Sequence, residues 1–100
     1  MEEYKIKIFP AAQNDLREIV DYLNTFSRET ALKYYDLIIE KINTLKKMPE
    51  RCPLLKDSQL RLRGYRTLLL ENYIVFYVIN RDTIEIRRIL FAKRQYKWLL

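Results

Sequence analysis

Two apolar runs joined by a two-residue polar break constrain the fold of this chain more than any other feature. Residues 67–70 and residues 73–79 are apolar or β-branched, and only Glu71 and Asn72 separate them. A third such run, residues 83–90, follows a short polar break at 80–82. Parallel strands need a long crossover between them, so breaks this short favour antiparallel pairing. The sequence therefore predicts a three-stranded antiparallel meander.

The middle run is apolar on both of its alternating faces, with Val75 and Tyr77 on one and Ile74 and Phe76 on the other. Such a strand is typical of the centre of a sheet that is covered on both sides. In the last run, apolar and charged residues share both faces. This pattern predicts a strand near an edge of the sheet or beside a functional groove.

An alternating segment at residues 4–9 predicts a further strand, with Ile6 and Ile8 on one face and Lys5 and Lys7 on the other. Pro10 then suits the first turn of a helix. We expect this strand to join one edge of the meander, and the sequence leaves open which edge.

Two helices are predicted over residues 11–25 and 28–48, because apolar residues recur there at steps of three and four. The apolar positions are Ala12, Leu16, Ile19, Leu23 and Phe26 in the first helix, and Ala31, Tyr35, Ile38, Ile42 and Leu45 in the second. Asp15 and Glu18 are expected on the solvent side. Ser27 is a good N-cap for the second helix. The short link predicts an αα-hairpin that packs on one face of the sheet.

Residues 49–60 contain two prolines without a clear period, which predicts an ordered loop. The segment 93–100 is expected to form about two helical turns, docked through Tyr96, Leu99 and Leu100. Together these elements predict an α+β fold with a short C-terminal helix, in a single domain over residues 1–100.

Charge is unevenly distributed along the chain. Residues 1–50 carry 8 Lys+Arg and 9 Asp+Glu, while residues 51–100 carry 11 Lys+Arg and 4 Asp+Glu. The basic half favours either a polyanionic or acidic partner or a solvated surface that aids solubility. One cysteine, no signal peptide and no membrane-spanning run predict a cytoplasmic protein without a membrane partner.

Histidine is absent, and this excludes several kinds of site. No Ser-His-Asp or Cys-His constellation and no Cys/His zinc cluster can form. A single glycine excludes a glycine-rich phosphate loop. The carboxylate pairs on the predicted helices, Asp15 with Glu18 and Asp36 with Glu40, are spaced as on a solvated helical face. We expect neither a metal nor a cofactor.

What remains is a set of cationic and aromatic side chains in the second half of the chain. Such groups can bind phosphates, or stabilise charge during phosphodiester cleavage without histidine. They are Arg61, Arg63, Arg66, Arg87, Arg88, Lys93, Arg94, Tyr96 and Lys97. The aromatic residues Tyr65, Phe91, Tyr96 and Trp98 could stack on bases or pack in the core.

The order of these segments and five short motifs resemble the RelE/ParE superfamily of toxins from bacterial type II toxin–antitoxin systems. The resemblance covers almost the whole chain. The motifs lie at residues 9–16 (Phe-Pro-Ala-Ala, then Asp-Leu), 48–51 (Met-Pro-Glu-Arg), 62–66 (Leu-Arg-Gly-Tyr-Arg), 72–77 (Asn-Tyr-Ile-Val-Phe-Tyr) and 88–96 (from Arg-Ile-Leu-Phe to Arg-Gln-Tyr).

The resemblance implies one of two activities. RelE-like members are ribosome-dependent mRNA endoribonucleases, and ParE-like plasmid-stabilisation toxins bind and inhibit DNA gyrase. Ile74 and Leu68 stand where RelE-like nucleases usually have basic residues, which favours the ParE-like, non-enzymatic reading. A metal-independent endoribonuclease is the alternative, and an inactive homologue or a basic nucleic-acid-binding module is a further one.

The resemblance also implies partners and site residues. A cognate antitoxin is expected to bind in an apolar groove between hairpin and sheet and to form a hetero-oligomer with the toxin. The expected target of the toxin is DNA gyrase, or alternatively the ribosome and mRNA. Antitoxin-binding candidates are Arg63, Arg66, Arg88 and Arg94. Target-binding candidates are Arg88, Lys93, Arg94, Tyr96, Lys97 and Trp98. A ribonuclease would use Arg66, Lys93, Arg94 and Tyr96.

Overall fold

The computed structural model describes residues 3–93 and 96–100 and contains a four-stranded sheet with helices on both faces. In chain order the strands and α-helices are β1 (Lys5–Ile8), α1 (Pro10–Asn24), α2 (Arg28–Asn43), α3 (Ser58–Leu62), β2 (Arg66–Leu70), β3 (Tyr73–Asn80) and β4 (Thr83–Phe91). Single 3-10 turns occur at Thr44–Lys46, Pro49–Arg51 and Lys97–Leu99.

The strand order is β1-β4-β3-β2, and the predicted antiparallel meander is confirmed. β3 is an interior strand, as its two apolar faces predict. β1 joins the meander at β4 and runs parallel to it, with Lys5 opposite Thr83 and Ile8 opposite Ile86. Because β1 ends there, it covers only the first half of β4. The second half of β4 is therefore still an edge, which agrees with the prediction for this strand.

A β-bulge interrupts the pairing of β3 with β4. Phe76 lies opposite Arg88 and Tyr77 lies opposite Ile86, so Arg87 is the extra residue. A bulge shifts the alternation of side chains along its strand. Simple alternation placed Ile89 on the face of Glu85 and Arg87. That placement is wrong, because Ile89 packs in the core beneath the hairpin.

The αα-hairpin is confirmed and covers one face of the sheet. Pro10 occupies the first turn of α1, and the Ser27 hydroxyl caps α2 by accepting a hydrogen bond from the Thr30 N–H. The core under the hairpin contains Ala12, Ile38, Ile42, Leu45, Cys52, Leu68, Leu70, Val75, Tyr77, Ile84, Ile86 and Ile89. Each helix in the described part of the chain is too short or too polar to span a bilayer.

Three details of the hairpin and its loop differ from prediction. Phe26 is 72% exposed and Tyr35 is 39% exposed, so neither is a core residue. α2 ends at Asn43 and continues only as a 3-10 turn. The segment predicted as a loop contains the start of α3, because the Asp57 carboxylate accepts hydrogen bonds from the N–H groups of Gln59 and Leu60 and caps the helix.

The opposite face of the sheet has a thinner cover, formed by α3 and the C-terminal tail (residues 96–100). Gly64 turns the chain from α3 into β2 with a φ of 81°, a conformation that glycine adopts without strain. Leu60, Tyr65, Phe76 and Leu90 form a second buried cluster here. The predicted anchors Tyr96, Leu99 and Leu100 pack against this cluster. The tail forms one 3-10 turn in its described part, instead of two helical turns.

Candidate interaction site

A groove of about 350 Å³ lies between α1 and the last residues of β4. Tyr73, Ile89 and Leu90 are buried and form its floor, while Tyr22 and Phe91 are 61% and 44% exposed at its rim. The complete lining is Asp15, Glu18, Ile19, Tyr22, Tyr73, Ile89, Leu90 and Phe91. Exposed aromatic side chains beside a concave apolar surface are typical of a protein-binding site.

The groove exists because β1 stops short of the second half of β4. The Phe9 N–H donates to the Ile86 carbonyl oxygen and the chain then turns into α1. Asp15, Glu18, Ile19 and Tyr22 follow at helical steps of three and four, so they share one face of α1. That face looks across the uncovered end of β4.

Tyr73 and Phe91 of the groove lining are in edge-to-face contact, and Tyr34, outside the lining, contacts Tyr73 from α2. The ring centroids of Tyr34 and Tyr73 are 6.1 Å apart, and those of Tyr73 and Phe91 are 6.0 Å apart, with interplanar angles of 75° and 79°. Burial raises the pKa of the Tyr73 phenol, so this side chain stays neutral. The arrangement gives the groove a fixed apolar wall.

One end of the groove is closed by a buried ion pair. Arg88 donates from Nε and from one terminal nitrogen to the two carboxylate oxygens of Asp15, each at 2.7 Å. Asp15 also accepts the backbone N–H of Ile89 at 2.9 Å, and it is only 4% exposed. The hydrogen bonds that Arg88 donates to Asp15 raise the pKa of Arg88. The prediction that Asp15 is solvated is therefore wrong. Its carboxylate accepts the Ile89 N–H at the edge of β4, where β1 no longer pairs with this strand.

Arg88 and Arg66, predicted to bind partners, both have internal hydrogen-bond acceptors. Besides Asp15, Arg88 reaches the Leu99 carbonyl oxygen at 3.3 Å. Arg66 donates to the carbonyl oxygens of Glu50 and Cys52, at 3.2 and 2.6 Å, on the strand face that carries Leu68. These guanidinium groups hold loops and tail to the sheet.

The family model for the ParE toxin of type II toxin–antitoxin systems (parDE) matches residues 6–96. The chain belongs to this family. No curated protein matches it. Among solved structures, a chain of the chromosomal ParDE toxin–antitoxin system of P. aeruginosa is 25% identical, with a TM-score of 0.77, over 91% of this chain and 98% of that one.

A second similar structure comes from the RelBE2 toxin–antitoxin complex of Mycobacterium tuberculosis. It is 20% identical, with a TM-score of 0.68, and the match covers 93% of this chain and 97% of that chain. Identity at this level shows a shared fold. The chain is thus a type II toxin of the RelE/ParE superfamily, as its motifs predict.

Three of the remaining predicted site residues of this ParE-family toxin, Arg63, Tyr96 and Lys97, contact α3, the C-terminal tail or the cluster beneath them. Arg63 is exposed and donates to the Leu100 backbone oxygen at 3.1 Å. Lys97 forms an ion pair with Asp57 at 3.1 Å, and the Tyr96 ring packs on Phe76 with 4.8 Å between centroids. Lys93 is exposed in the turn after β4. Arg94 and the side chain of Trp98 lie outside the described residues, so their predicted roles stay predictions.

Sequence reasoning missed the residues that build the groove. Tyr22 lies beside the apolar stripe of α1, and its spacing from Asp15, Glu18 and Ile19 is the signal that defines this second face. For Phe91 the sequence predicts only base stacking or core packing. In the structure it is a rim residue next to Tyr73. The ParE-family toxin therefore presents a preformed apolar groove with the carboxylates of Asp15 and Glu18 on its α1 side.

Proposed function

We propose that this toxin acts by binding: it inhibits DNA gyrase, and a cognate antitoxin neutralises it by placing an apolar segment in the groove beside Tyr22 and Phe91. Family membership supports both partners, since the ParE-like branch is the one implied to act on gyrase. The ParDE and RelBE2 structures come from toxin–antitoxin systems, which supports an antitoxin partner.

The observation that supports inhibition by binding is the separation of two of the candidate nuclease groups, Arg66 and Tyr96. Arg66 lies on the face under the hairpin and donates hydrogen bonds to the Glu50 and Cys52 carbonyl oxygens, whereas Tyr96 packs on Phe76 on the opposite face. A scissile phosphate needs several positioned groups at one point, and each lost group typically costs about 10²–10³ in rate. With no histidine in the chain, this separation favours inhibition by binding over cleavage.

The groove has the chemistry of an antitoxin-docking surface. Its floor is apolar, its rim is aromatic, and the Asp15–Arg88 pair and the Tyr34–Tyr73–Phe91 contacts hold these lining residues in place. A preformed apolar groove lowers the entropic cost of binding an extended or helical segment. Of the arginines predicted to meet acidic antitoxin residues, Arg63 is exposed and can do so without leaving a buried carboxylate unpaired.

Two assays on the purified toxin test the target. We expect inhibition of gyrase supercoiling and intact mRNA on translating ribosomes. Codon-phased mRNA cuts together with unimpaired supercoiling would overturn the proposal in favour of a ribonuclease. Arg94→Ala, predicted to lie at the target contact, should weaken inhibition while thermal unfolding stays unchanged.

A second pair of variants tests the groove. Tyr22→Ala combined with Phe91→Ala should weaken binding of the antitoxin, expected from the neighbouring reading frame, by at least about 100-fold, because exposed aromatic anchors dominate such interfaces. Tyr35→Ala, an exposed tyrosine on α2 outside the groove lining, is the matched control and should leave affinity within about threefold. Equal affinity of the double variant and the control, measured by calorimetry, would contradict groove docking.

A further inference from the structure

A row of alternating cations and aromatic rings crosses the sheet face opposite the hairpin. We call it the cationic row: Lys7, Phe9, Arg87, Tyr65 and Arg63. The Lys7 ammonium lies 5.3 Å from the Phe9 ring centroid and the Arg87 guanidinium lies 4.6 Å from it. Arg87 and Arg63 are then 5.8 and 5.2 Å from the Tyr65 ring. Each neighbouring pair in the row is thus in cation–π range.

The topology brings these residues together from distant parts of the chain. Lys7 is on β1 with its side chain on the face opposite Ile6 and Ile8. Arg87 is the bulged residue of β4, and Arg63 follows α3 at the turn into β2. The bulge is what turns Arg87 towards Phe9, while the next residue, Arg88, reaches Asp15.

The aromatic rings fix the cations and offer little surface of their own. Tyr65 is 2% exposed and Phe9 is half-buried beneath Lys7 and Arg87. Side chains already held against rings lose less freedom when they bind a ligand. Lys7 and Arg63 are exposed, and Lys5 lies on the same face of β1. Glu85 pairs with Arg87 at 2.8 Å, and Arg63 and Tyr65 donate to the Leu100 backbone oxygen at 3.1 and 3.3 Å.

We propose that the cationic row binds the phosphate backbone of duplex DNA. Positioned cations are sufficient for phosphate contacts. Surfaces for single-stranded nucleic acid need accessible rings on which bases stack, whereas Tyr65 is buried and Phe9 is half-buried beneath two cations. A peptide partner would need apolar anchors, which the buried Tyr65 does not provide. This inference goes beyond gyrase inhibition and is independent of it, because duplex binding is measured without gyrase.

Fluorescence anisotropy with a labelled duplex of mixed sequence, titrated with the full-length toxin at several salt concentrations, tests the proposal. Three phosphate contacts give a slope of about −2.7 for log K against log salt, so affinity should fall about 40-fold between 50 and 200 mM salt. Lys7→Gln combined with Arg63→Gln should leave a slope near about −0.9 and a fall of about fourfold.

The matched control is Arg28→Gln combined with Lys33→Gln, which removes the same charge from exposed positions on α2. It should retain the steep slope. Because Arg63 also contacts Leu100, Lys7→Gln alone is measured too, and it should make the slope shallower by about one unit. Equal losses in the control, or tighter binding of a single strand or of a poly-glutamate peptide than of the duplex, would overturn the proposal.

Discussion

The same sheet is covered to different depths on its two faces. Under the hairpin, twelve described residues form a continuous buried cluster that includes Ile38, Tyr77 and Ile86. Under α3 and the tail, the buried cluster consists of four described residues, and cations surround it. The first face therefore supplies most of the apolar burial, while the second presents charge to solvent. A small domain can separate stability from recognition in this way without a second core.

The largest expected effect compares matched truncations on the two faces. Ile38→Ala should destabilise the protein by about 4 kcal/mol, because the rigid hairpin cannot close the cavity. Leu60→Ala should cost about 2 kcal/mol, because the short α3 and the tail can settle into the space. Urea unfolding of both variants measures the difference. Equal losses would mean that the thin cover is as rigid as the hairpin.

An intermediate effect is expected at Arg88, which joins the two faces by contacting Asp15 of α1 and Leu99 of the tail. Asp15→Ala leaves Arg88, whose side chain is 18% exposed, without its carboxylate and should cost about 3 kcal/mol. Adding Arg88→Met should restore part of this loss, since no buried charge then remains.

Glu18→Gln is the control for Asp15, since Glu18 is exposed on the same helix face. It should change the free energy of unfolding by less than about 0.5 kcal/mol. A loss at Asp15 no larger than that of the control would show that the pair contributes nothing, and that the two faces are independent.

The smallest expected effect concerns pH and the second face alone. Hydrogen bonds from the Leu60 N–H and then from Lys97 lower the pKa of Asp57. A lowered pKa stabilises the fold above the ordinary carboxyl pKa of about 4, and this contribution disappears as pH falls through the lowered value. Wild type should therefore lose more stability than Asp57→Asn between pH 7 and pH 3.

Urea unfolding followed by the fluorescence of Trp98, the single tryptophan, measures that difference. Asp36→Asn, an exposed carboxylate on α2, serves as the control and should keep the wild-type pH dependence. Parallel pH profiles for wild type and Asp57→Asn would contradict the role of Asp57 in holding α3 and the tail.

Local sequence patterns predicted the helices and strands, and contacts between residues far apart in the chain explain the predictions that were wrong. The period of apolar residues was enough for both hairpin helices and for the central position of β3. The burial of Asp15 depends on Arg88, far along the chain, and a helical period treats any carboxylate as solvated. The alternation of side chains shifts at Arg87 because of a β-bulge, and the sequence of β4 alone does not indicate this bulge.

The candidate site was predicted in type but not in place. A groove between hairpin and sheet was expected, yet its position follows from where β1 ends against β4. The many arginines in the second half of the chain predicted a set of basic side chains available to partners. Arg66 does not belong to this set, because its guanidinium donates hydrogen bonds to backbone carbonyls. Pairing of this kind depends on the folded loops and cannot be read from spacing.

The parallel pairing of β1 with β4 also has a consequence for the order in which the protein can be made. Ile6 lies opposite Ile84, so the ribosome must synthesise the chain as far as β4 before the first strand has a partner. The hairpin and the meander close through local contacts, whereas the β1–β4 pair must close a loop of almost the whole chain, at a larger entropic cost. The uncovered end of β4, and the groove beside it, can therefore form only after the residues of β4 have been synthesised.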